Sequence, residues 1–132
     1  MGTTYFVNFK VMDFSDVNGA VEAIKHWMKS DDVKDWFDEK DIDCIEHIED
    51  VAKIILRDNS FHHLRIDMDN NDWVDYSNEF DGMYSYEGML MAFGVKIMEF
   101  LNRGSCIECW PDNHHWKIYK NTKGEVKTRL FC

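Results

Sequence analysis

The spacing of the apolar residues changes several times along this chain, and these changes constrain the fold more than any other feature. Every second residue from Tyr5 to Val11 is apolar, which predicts a strand over residues 4–12 with one buried face. Next comes the spacing of an amphipathic helix, expected over residues 16–29 with Ser15 as its N-cap. The chain therefore begins with a strand followed by a helix.

Helical spacing continues for two more segments. We expect a short helix after Ser30 that buries Val33, Trp36 and Phe37. A longer helix is predicted over residues 41–57. Its inward-facing residues are Ile42, Ile45, Ile48, Val51, Ala52 and Ile55.

A hairpin and a further helix follow. Alternating residues predict strands over residues 61–68 and 73–80, joined by a polar turn. The next helix is expected over residues 86–102, with Ser85 as its cap and Gly104 as its stop.

Three short strands over residues 105–110, 115–120 and 126–131 complete the pattern. The predicted fold is α+β, with helices packed on one face of a mainly antiparallel sheet in the order β-α-(α-α)-β-β-α-β-β-β. Its first part has the element order of a ferredoxin-like unit, and its last part is a C-terminal β-meander. A length of 132 residues fits one domain over 1–132. An exposed edge strand in the C-terminal meander would permit dimerisation by sheet extension.

The charge of the chain is −10, and the acidic residues are concentrated. Residues 31–50 hold ten acids against two lysines, and residues 66–95 hold seven acids with no lysine or arginine. The last thirty residues are mildly basic, with six Lys and Arg against three acids. Such a field repels nucleic acid and anionic membranes, and it attracts basic protein surfaces.

The sequence also indicates where in the cell the protein is expected. No apolar run approaches the roughly 20 residues needed to span a bilayer, and the first residues do not read as a signal peptide. We therefore expect a soluble, cytoplasmic protein whose four cysteines are free thiols. Cys44 is expected in the core because its neighbours are apolar helix positions.

One segment partly matches a calcium-binding loop. Oxygen-bearing residues stand at loop positions 1, 3, 5 and 9, which are Asp67, Asp69, Asn71 and Asp75. The glycine expected at position 6 is Asp72, however, and the flanks read as strands. We interpret the segment as a polar hairpin turn and commit to no metal or other cofactor. The alternative is a small metal-dependent hydrolase that uses Asp67, Asp69, Asp75 and a histidine.

The cysteine and histidine pairs also match functional motifs only in part. A Cys106–Cys109 pair near His114 and His115 resembles part of a zinc site, but an alternating strand puts the two sulfurs on opposite faces. We interpret the cysteines as core and edge residues. The pairs His62–His63 and His114–His115 are interpreted as exposed strand residues, with a pH switch or nuclease base as the alternative.

Two acidic segments are candidate partner-binding surfaces. The first offers charges for steering and ion pairs, from Asp31, Asp32, Asp35, Asp38, Glu39, Asp41 and Asp43. The second interleaves aromatic residues with acids, which is typical of protein-binding surfaces. Its expected contact residues are Asp69, Asp72, Trp73, Asp75, Tyr76 and Glu79.

The chain carries no Gly-rich phosphate loop, no GxSxG motif and no HExxH motif. In size, acidity and freedom from such motifs it is similar to small acidic inhibitors, namely toxin-immunity proteins and phage-encoded anti-defence proteins such as anti-CRISPRs. That resemblance of type implies a non-enzymatic inhibitor of a basic, nucleic-acid-handling enzyme or toxin, which imitates nucleic acid and does not bind it. A ligand-sensing adaptor is a third interpretation, in which the small residues Gly88, Ala92 and Gly94 leave room for a ligand between helix and sheet.

Overall fold

The computed structural model describes residues 2–10, 14–55, 66–67, 72–73, 76–83, 86–111 and 114–131. These residues form an α+β fold of helices and antiparallel strands. The strands are β1 (Gly2–Lys10), β2 (Ile66–Asp67), β3 (Asp72–Trp73), β4 (Tyr76–Met83), β5 (Cys106–Pro111), β6 (His115–Lys120) and β7 (Val126–Phe131). The helices are α1 (Val17–Met28), α2 (Glu39–Asp43), α3 (Ile48–Ile55) and α4 (Tyr86–Met98), with a 3-10 turn at Lys34–Trp36.

The main sheet has five strands in the order β4-β1-β5-β6-β7. Every pairing in it is antiparallel. β1 lies between β4 and β5, and the three last strands form the predicted meander. The three strands predicted near the C-terminus are therefore confirmed to within one residue at each end.

The hydrophobic core lies between this sheet and the helices. Tyr5, Val7, Cys109, Trp116 and Ile118 are all buried on one face of the sheet. Strand register explains the grouping, because directly opposed residues of an antiparallel pair share a face. No helix in the described part of the chain is long and apolar enough to cross a membrane.

The first helix is capped differently from the prediction. Asp16, not Ser15, is the N-cap, because its backbone is extended and its side chain accepts a hydrogen bond of 2.9 Å from Gly19 N. The Ser15 hydroxyl instead donates to the Phe100 carbonyl over 3.0 Å. Ser15 therefore ties the entry of α1 to the segment after α4.

The single helix predicted over residues 41–57 is wrong, because the structure has α2 and α3 with a break between them. Asp38 caps α2, and the Asp50 carboxylate accepts from Glu46 N and His47 N at the start of α3. These side chains satisfy backbone donors that one continuous helix would have bonded internally. The apolar residues expected to face inward are nevertheless buried at Ile42, Ile45, Ile48, Val51 and Ile55.

The break also changes the position of Cys44, which follows α2 and is exposed. The prediction that Cys44 lies in the core is therefore wrong. Its apolar neighbours satisfied helical spacing, but the chain turns away from the helix at this residue.

The last helix, α4, ends at Met98 and not at residue 102. Leu101 forms a bridge with Phe14, and the Lys120 ammonium donates to the Leu101 carbonyl over 2.8 Å. Contacts with distant strands therefore end the helix before Gly104, whose positive φ of 92° serves the turn into β5.

The predicted hairpin over residues 61–80 is confirmed in part. Ile66 pairs with Trp73 and Asp67 pairs with Asp72, both antiparallel. Residues 76–80 of the second predicted strand lie in β4, which pairs with β1. Residues 56–65, 68–71 and 74–75 lie outside the described residues.

Candidate functional site

The seven acids predicted between residues 31 and 43 form an exposed surface. All of them are exposed in the structure: Asp31, Asp32, Asp35, Asp38, Glu39, Asp41 and Asp43. They follow the end of α1 and continue through the 3-10 turn and α2. We call these seven residues the acidic surface.

Aromatic contacts fix this surface to the rest of the fold. Trp36 packs edge-on against Tyr86 of α4, with ring centroids 5.3 Å apart. Phe37 packs against Trp27 of α1 at 6.2 Å, and Trp27 packs against Phe93 at 6.3 Å. The predicted inward direction of Trp36 and Phe37 is confirmed, since both pack against the core. A short segment rich in charge is thereby held in one place.

Two ion pairs neutralise part of the charge on the acidic surface. Lys29 bonds Asp43 over 2.7 Å, and Lys34 bonds Asp31 over 3.0 Å. The hydrogen bond to Asp43 raises the pKa of the Lys29 ammonium. Exposed pairs of this kind contribute little to stability because solvent and salt screen them. Their more important effect is that each lysine already has a carboxylate partner.

A surface cavity of about 310 Å³ opens within the acidic surface. Its apolar part comes from Met28 and Ile42, which are buried, and from Phe37. Its charged lining residues are Lys29, Lys34, Asp35 and Glu39. The volume is at the lower end of the roughly 300–1,000 Å³ found for small-molecule pockets, so it suits one large side chain of a partner.

Asp35 and Glu39 are the cavity acids available to a partner. Within the described residues neither of them forms an ion pair. The cavity therefore combines an apolar interior with two carboxylates that form no ion pair there, although the Glu39 charge also acts on the Lys29 ammonium. This is the arrangement that accepts an arginine or lysine side chain, whose methylene groups are apolar and whose head is cationic.

Sequence reasoning found the acids but missed the cavity. Met28 ends α1, Phe37 follows the 3-10 turn and Ile42 lies in α2. These residues meet only because the chain folds back on itself after residue 30. The one signal in the sequence was the pair Trp36–Phe37, two large apolar residues between the acids Asp35 and Asp38.

The second predicted contact surface is described only through its backbone. Asp72 and Trp73 lie in β3, and Tyr76 and Glu79 lie in β4. Asp69 and Asp75 lie outside the described residues. Glu79 is the register partner of Phe6.

Only one of the four residues that match the calcium-binding loop lies within the described residues. Asp67 lies in β2, whereas Asp69, Asn71 and Asp75 fall outside the described residues. In the described part of the chain, no group of three or more His, Cys, Asp and Glu side chains is placed to hold a metal ion.

The cysteine pair in β5 has the predicted geometry. Cys106 is the register partner of Tyr119, and Cys109 is the register partner of Trp116, so the two thiols lie on opposite faces. Cys109 lies in the core, and burial, with a smaller effect of Glu87, raises the pKa of its thiol to about 12. A thiol that stays protonated at neutral pH is a poor nucleophile and a poor zinc ligand.

Each histidine of the C-terminal pair bonds a glutamate. His114 Nε2 lies 2.7 Å from a Glu87 carboxylate oxygen, and His115 Nε2 lies 3.0 Å from a Glu108 carboxylate oxygen. His115 also stacks between Trp110 and Phe131. The other predicted pair, His62–His63, lies outside the described residues.

The small residues of α4 differ in their surroundings. A Cβ atom added at Gly94 would lie 2.6 Å from Ile118 Cδ1, so the Ile118 side chain of the sheet already occupies the space beside Gly94. A Cβ atom at Gly88 would meet nothing within 4 Å, and Gly88 is exposed. Gly94 is therefore small because α4 approaches the sheet closely, and it leaves no room for a ligand.

Comparisons with known proteins provide no family for this chain. No protein-family model, no curated protein and no solved structure matches it.

Proposed function

We propose that this chain is a non-enzymatic acidic binding protein that inhibits a basic, nucleic-acid-handling protein. The observation that carries the proposal is the acidic surface with its 310 Å³ cavity, where Asp35 and Glu39 border an apolar interior. A basic protein offers the complementary features, because its nucleic-acid groove is lined with arginine and lysine.

Binding would proceed in two steps. The exposed acids attract the basic partner over a range of about 8 Å at physiological salt, which raises the association rate. An arginine or lysine of the partner then enters the cavity, with its methylene groups against Met28 and Ile42 and its head near Asp35 and Glu39. Phe37 supplies an aromatic ring that attracts a cation.

Inhibition would follow from competition. The same basic groove that binds nucleic-acid phosphates binds the acidic surface, so the two exclude each other. This is the mode of action expected of a toxin-immunity or phage anti-defence protein, including anti-CRISPRs. We infer a cytoplasmic location, because such partners act there.

We also propose that the first part of the chain has a ferredoxin-like arrangement. The antiparallel pairing of β1 with both β4 and β5 supports a ferredoxin-like arrangement for the first part of the chain. In that arrangement α1 and α4 cover one face of the sheet, and the acidic surface lies on the helix side.

The first experiment isolates the partner with tagged protein from host lysate at low and moderate salt, followed by mass spectrometry. The recovered protein is purified, and its affinity is measured as a function of salt with and without its nucleic acid. We expect a basic nucleic-acid enzyme or toxin, weaker binding at higher salt, and competition with nucleic acid. Failure of nucleic acid to compete would contradict the proposed inhibition.

Two charge-reversal variants locate the site. Asp35→Lys combined with Glu39→Lys changes the cavity without removing a helix cap or an ion pair of the described residues. Glu22→Lys combined with Glu46→Lys makes the same change in net charge outside the acidic surface, and neither residue forms an ion pair within the described residues. We expect the first variant to lower partner affinity at least about tenfold and to flatten its salt dependence, and the second to retain most of the affinity. Equal losses in both would mean that net charge alone drives binding.

A melting series with Mg²⁺, Ca²⁺ and Zn²⁺ tests the hydrolase alternative. A ligand that binds the native state raises its melting temperature. We expect no metal to raise it, and a reproducible increase with one of them would favour a metal site.

A further inference from the structure

The strand β7 is one edge of the five-stranded sheet. Among the described residues it pairs only with β6, so one side of its backbone has no strand partner there. Sheet edges of this kind can receive an additional strand. We call Val126–Phe131 the β7 edge.

One face of the β7 edge carries an uncovered apolar residue. Leu130 is the register partner of Trp116, which is 1% exposed in the core, yet Leu130 itself is 65% exposed. Thr128 is the partner of the buried Ile118 and is also exposed. Val126 at the start of β7 still packs against the core, but the cover stops before Thr128 and Leu130, where the same face continues to the edge without it.

The other face of the β7 edge carries cations. Lys127 and Arg129 are exposed, and Lys117 lies opposite Arg129 in the register. The only acid paired with either edge cation in the described residues is Glu125, which lies 3.4 Å from Lys127. This part of the surface is therefore positive although the chain as a whole is acidic.

The Arg129 side chain is held in place by a stack of rings. Its guanidinium carbon lies 5.0 Å from the centre of the Phe131 ring. Phe131 stacks on His115 at 4.5 Å, and His115 stacks on Trp110 at 4.3 Å, with ring planes within 13° of parallel. The hydrogen bond between His115 and Glu108 fixes the middle ring. A cation ordered in this way loses less conformational entropy when it binds an anion.

From these features we propose that the β7 edge binds an extended acidic segment of a protein partner as an additional strand. Side chains of a strand alternate between faces, so the incoming segment would place carboxylates two residues apart beside Lys127 and Arg129. The residue between them would lie opposite Thr128, and the next residue on that face, opposite Leu130, would be apolar. Backbone hydrogen bonds would supply affinity, and the charge pattern would supply specificity.

The charge pattern disfavours a second copy of this chain at the same edge. Two β7 strands related by a two-fold axis would pair antiparallel, with residues of the same face opposite each other. The two registers that pair most residues put Arg129 opposite Arg129, or Lys127 opposite Arg129. Like charges directly opposite each other are destabilising. An acidic strand removes this repulsion and gains two ion pairs.

The surface is separate from the acidic surface of the proposed function. Trp36 connects the acidic surface to Tyr86, which packs on Tyr5 on the core face of the sheet. Lys127 and Arg129 lie on the opposite face. Charges separated by more than about 8 Å are largely screened at physiological salt, so the two surfaces can bind partners of opposite charge.

The test uses a blocked seven-residue peptide that alternates Glu and Val. Backbone amide shifts of the isotope-labelled protein are followed by NMR during titration. We expect saturable shifts centred on residues 126–131 and slower hydrogen exchange of their outward-facing amides. A peptide with proline at its centre lacks a backbone donor and should bind at least about tenfold more weakly.

Charge variants complete the test. Lys127→Glu combined with Arg129→Glu should lose binding of the Glu–Val peptide and gain binding of a Lys–Val peptide. Lys25→Glu combined with Lys40→Glu makes the same charge change on α1 and α2, away from the edge, and should keep the original preference. The variant at Asp35 and Glu39 should also bind the Glu–Val peptide normally, so this result is independent of the proposed function.

Three outcomes would overturn the proposal. The first is the absence of β7 shifts with the Glu–Val peptide at millimolar concentration. The second is equal binding of the proline peptide, which would mean charge attraction without strand addition. The third is a concentration-dependent dimer in sedimentation that protects the β7 amides, which would assign the edge to a second copy.

Discussion

Replacing Gly94 with alanine perturbs the closest approach between α4 and the sheet. The new Cβ atom would lie 2.6 Å from Ile118 Cδ1, whereas its next neighbours, Ile107 Cδ1 and Ile118 Cγ1, lie at a comfortable 3.8 Å. One terminal methyl group therefore accounts for the whole conflict. Ile118 is fully buried, so this methyl group has little space into which it can move.

The expected magnitude follows from two opposing effects. Alanine is favoured over glycine in a helix interior by about 1 kcal/mol. Overpacking a well-packed core costs about 1–3 kcal/mol. We therefore expect Gly94→Ala to lower the free energy of unfolding by about 0–2 kcal/mol, despite the better helix propensity.

A second substitution removes the conflict. Ile118→Val deletes Cδ1 and alone should cost about 0.5–1.5 kcal/mol. In the double variant the alanine fits and its helix propensity is recovered, so stability should return to within about 1 kcal/mol of the wild type. The coupling between the two substitutions should equal the relieved overpacking, about 1–3 kcal/mol.

Urea unfolding of the four proteins, followed by tryptophan fluorescence, measures this cycle. Gly88→Ala is the matched control, because it makes the same change in the same helix where a Cβ atom meets nothing within 4 Å. It should stabilise the protein by about 1 kcal/mol, which raises the melting temperature by about 3–5 °C. Additivity of Gly94→Ala and Ile118→Val within about 0.5 kcal/mol would refute the close contact.

Three further predictions concern a cap, a buried thiol and an aromatic anchor. Asp16→Ala should lower the free energy of unfolding by about 1 kcal/mol in the same urea assay, and a smaller loss than with Ser15→Ala would contradict the assignment of the cap. Burial raises the pKa of the Cys109 thiol from 9.0 to about 12, so its contribution to the free energy of unfolding is present in full below pH 9. Between about pH 9 and 12 that free energy should fall by up to about 1.4 kcal/mol per pH unit. Cys109→Ala should remove this part of the pH dependence. A thiol reagent at pH 8 should modify Cys44 in the folded protein long before Cys109, and equal rates would show that Cys109 is accessible. Trp36→Ala should lower stability by about 2–4 kcal/mol and weaken partner binding even though every acid is retained, as calorimetry and the affinity assay would show.

Most helices and strands could be predicted from local sequence patterns, because their formation depends on residues that are close together in the sequence. The strands β5 and β6 alternate over most of their length between buried and partly exposed residues, and Asn121 and Gly124 build the turn between β6 and β7. The Asn121 side chain accepts from two backbone amides there, and Gly124 has a φ of 81°. Both residues serve a turn that spans only a few positions, so sequence alone was sufficient.

The wrong helix boundaries depended on polar and long-range contacts that the spacing of apolar residues does not reveal. Helix α4 stops where Leu101 meets Phe14 and Lys120, which no periodicity within the helix reveals. The break between α2 and α3 depends on the Asp50 carboxylate, whose competing role as a cap is invisible to apolar spacing. A tertiary contact overrode local helix preference at the end of α4, whereas a local side-chain cap did so between α2 and α3.

One feature of the candidate site could be predicted from the sequence and another could not. Exposure of the acids could be predicted because charged residues are rarely buried. The cavity beside Asp35 and Glu39 could not, because Met28, Phe37 and Ile42 come from three separate elements.

The central position of β1 also has a consequence for synthesis on the ribosome. Tyr5 of β1 pairs with Phe80 on one side and with Pro111 on the other, so the strand made first waits for partners made much later. At about 5–20 residues per second, roughly 5–20 s pass between the appearance of Tyr5 and that of Pro111. During this time an apolar strand has no lasting partner on that side, and we expect it to be a binding site for chaperones until translation has passed β5.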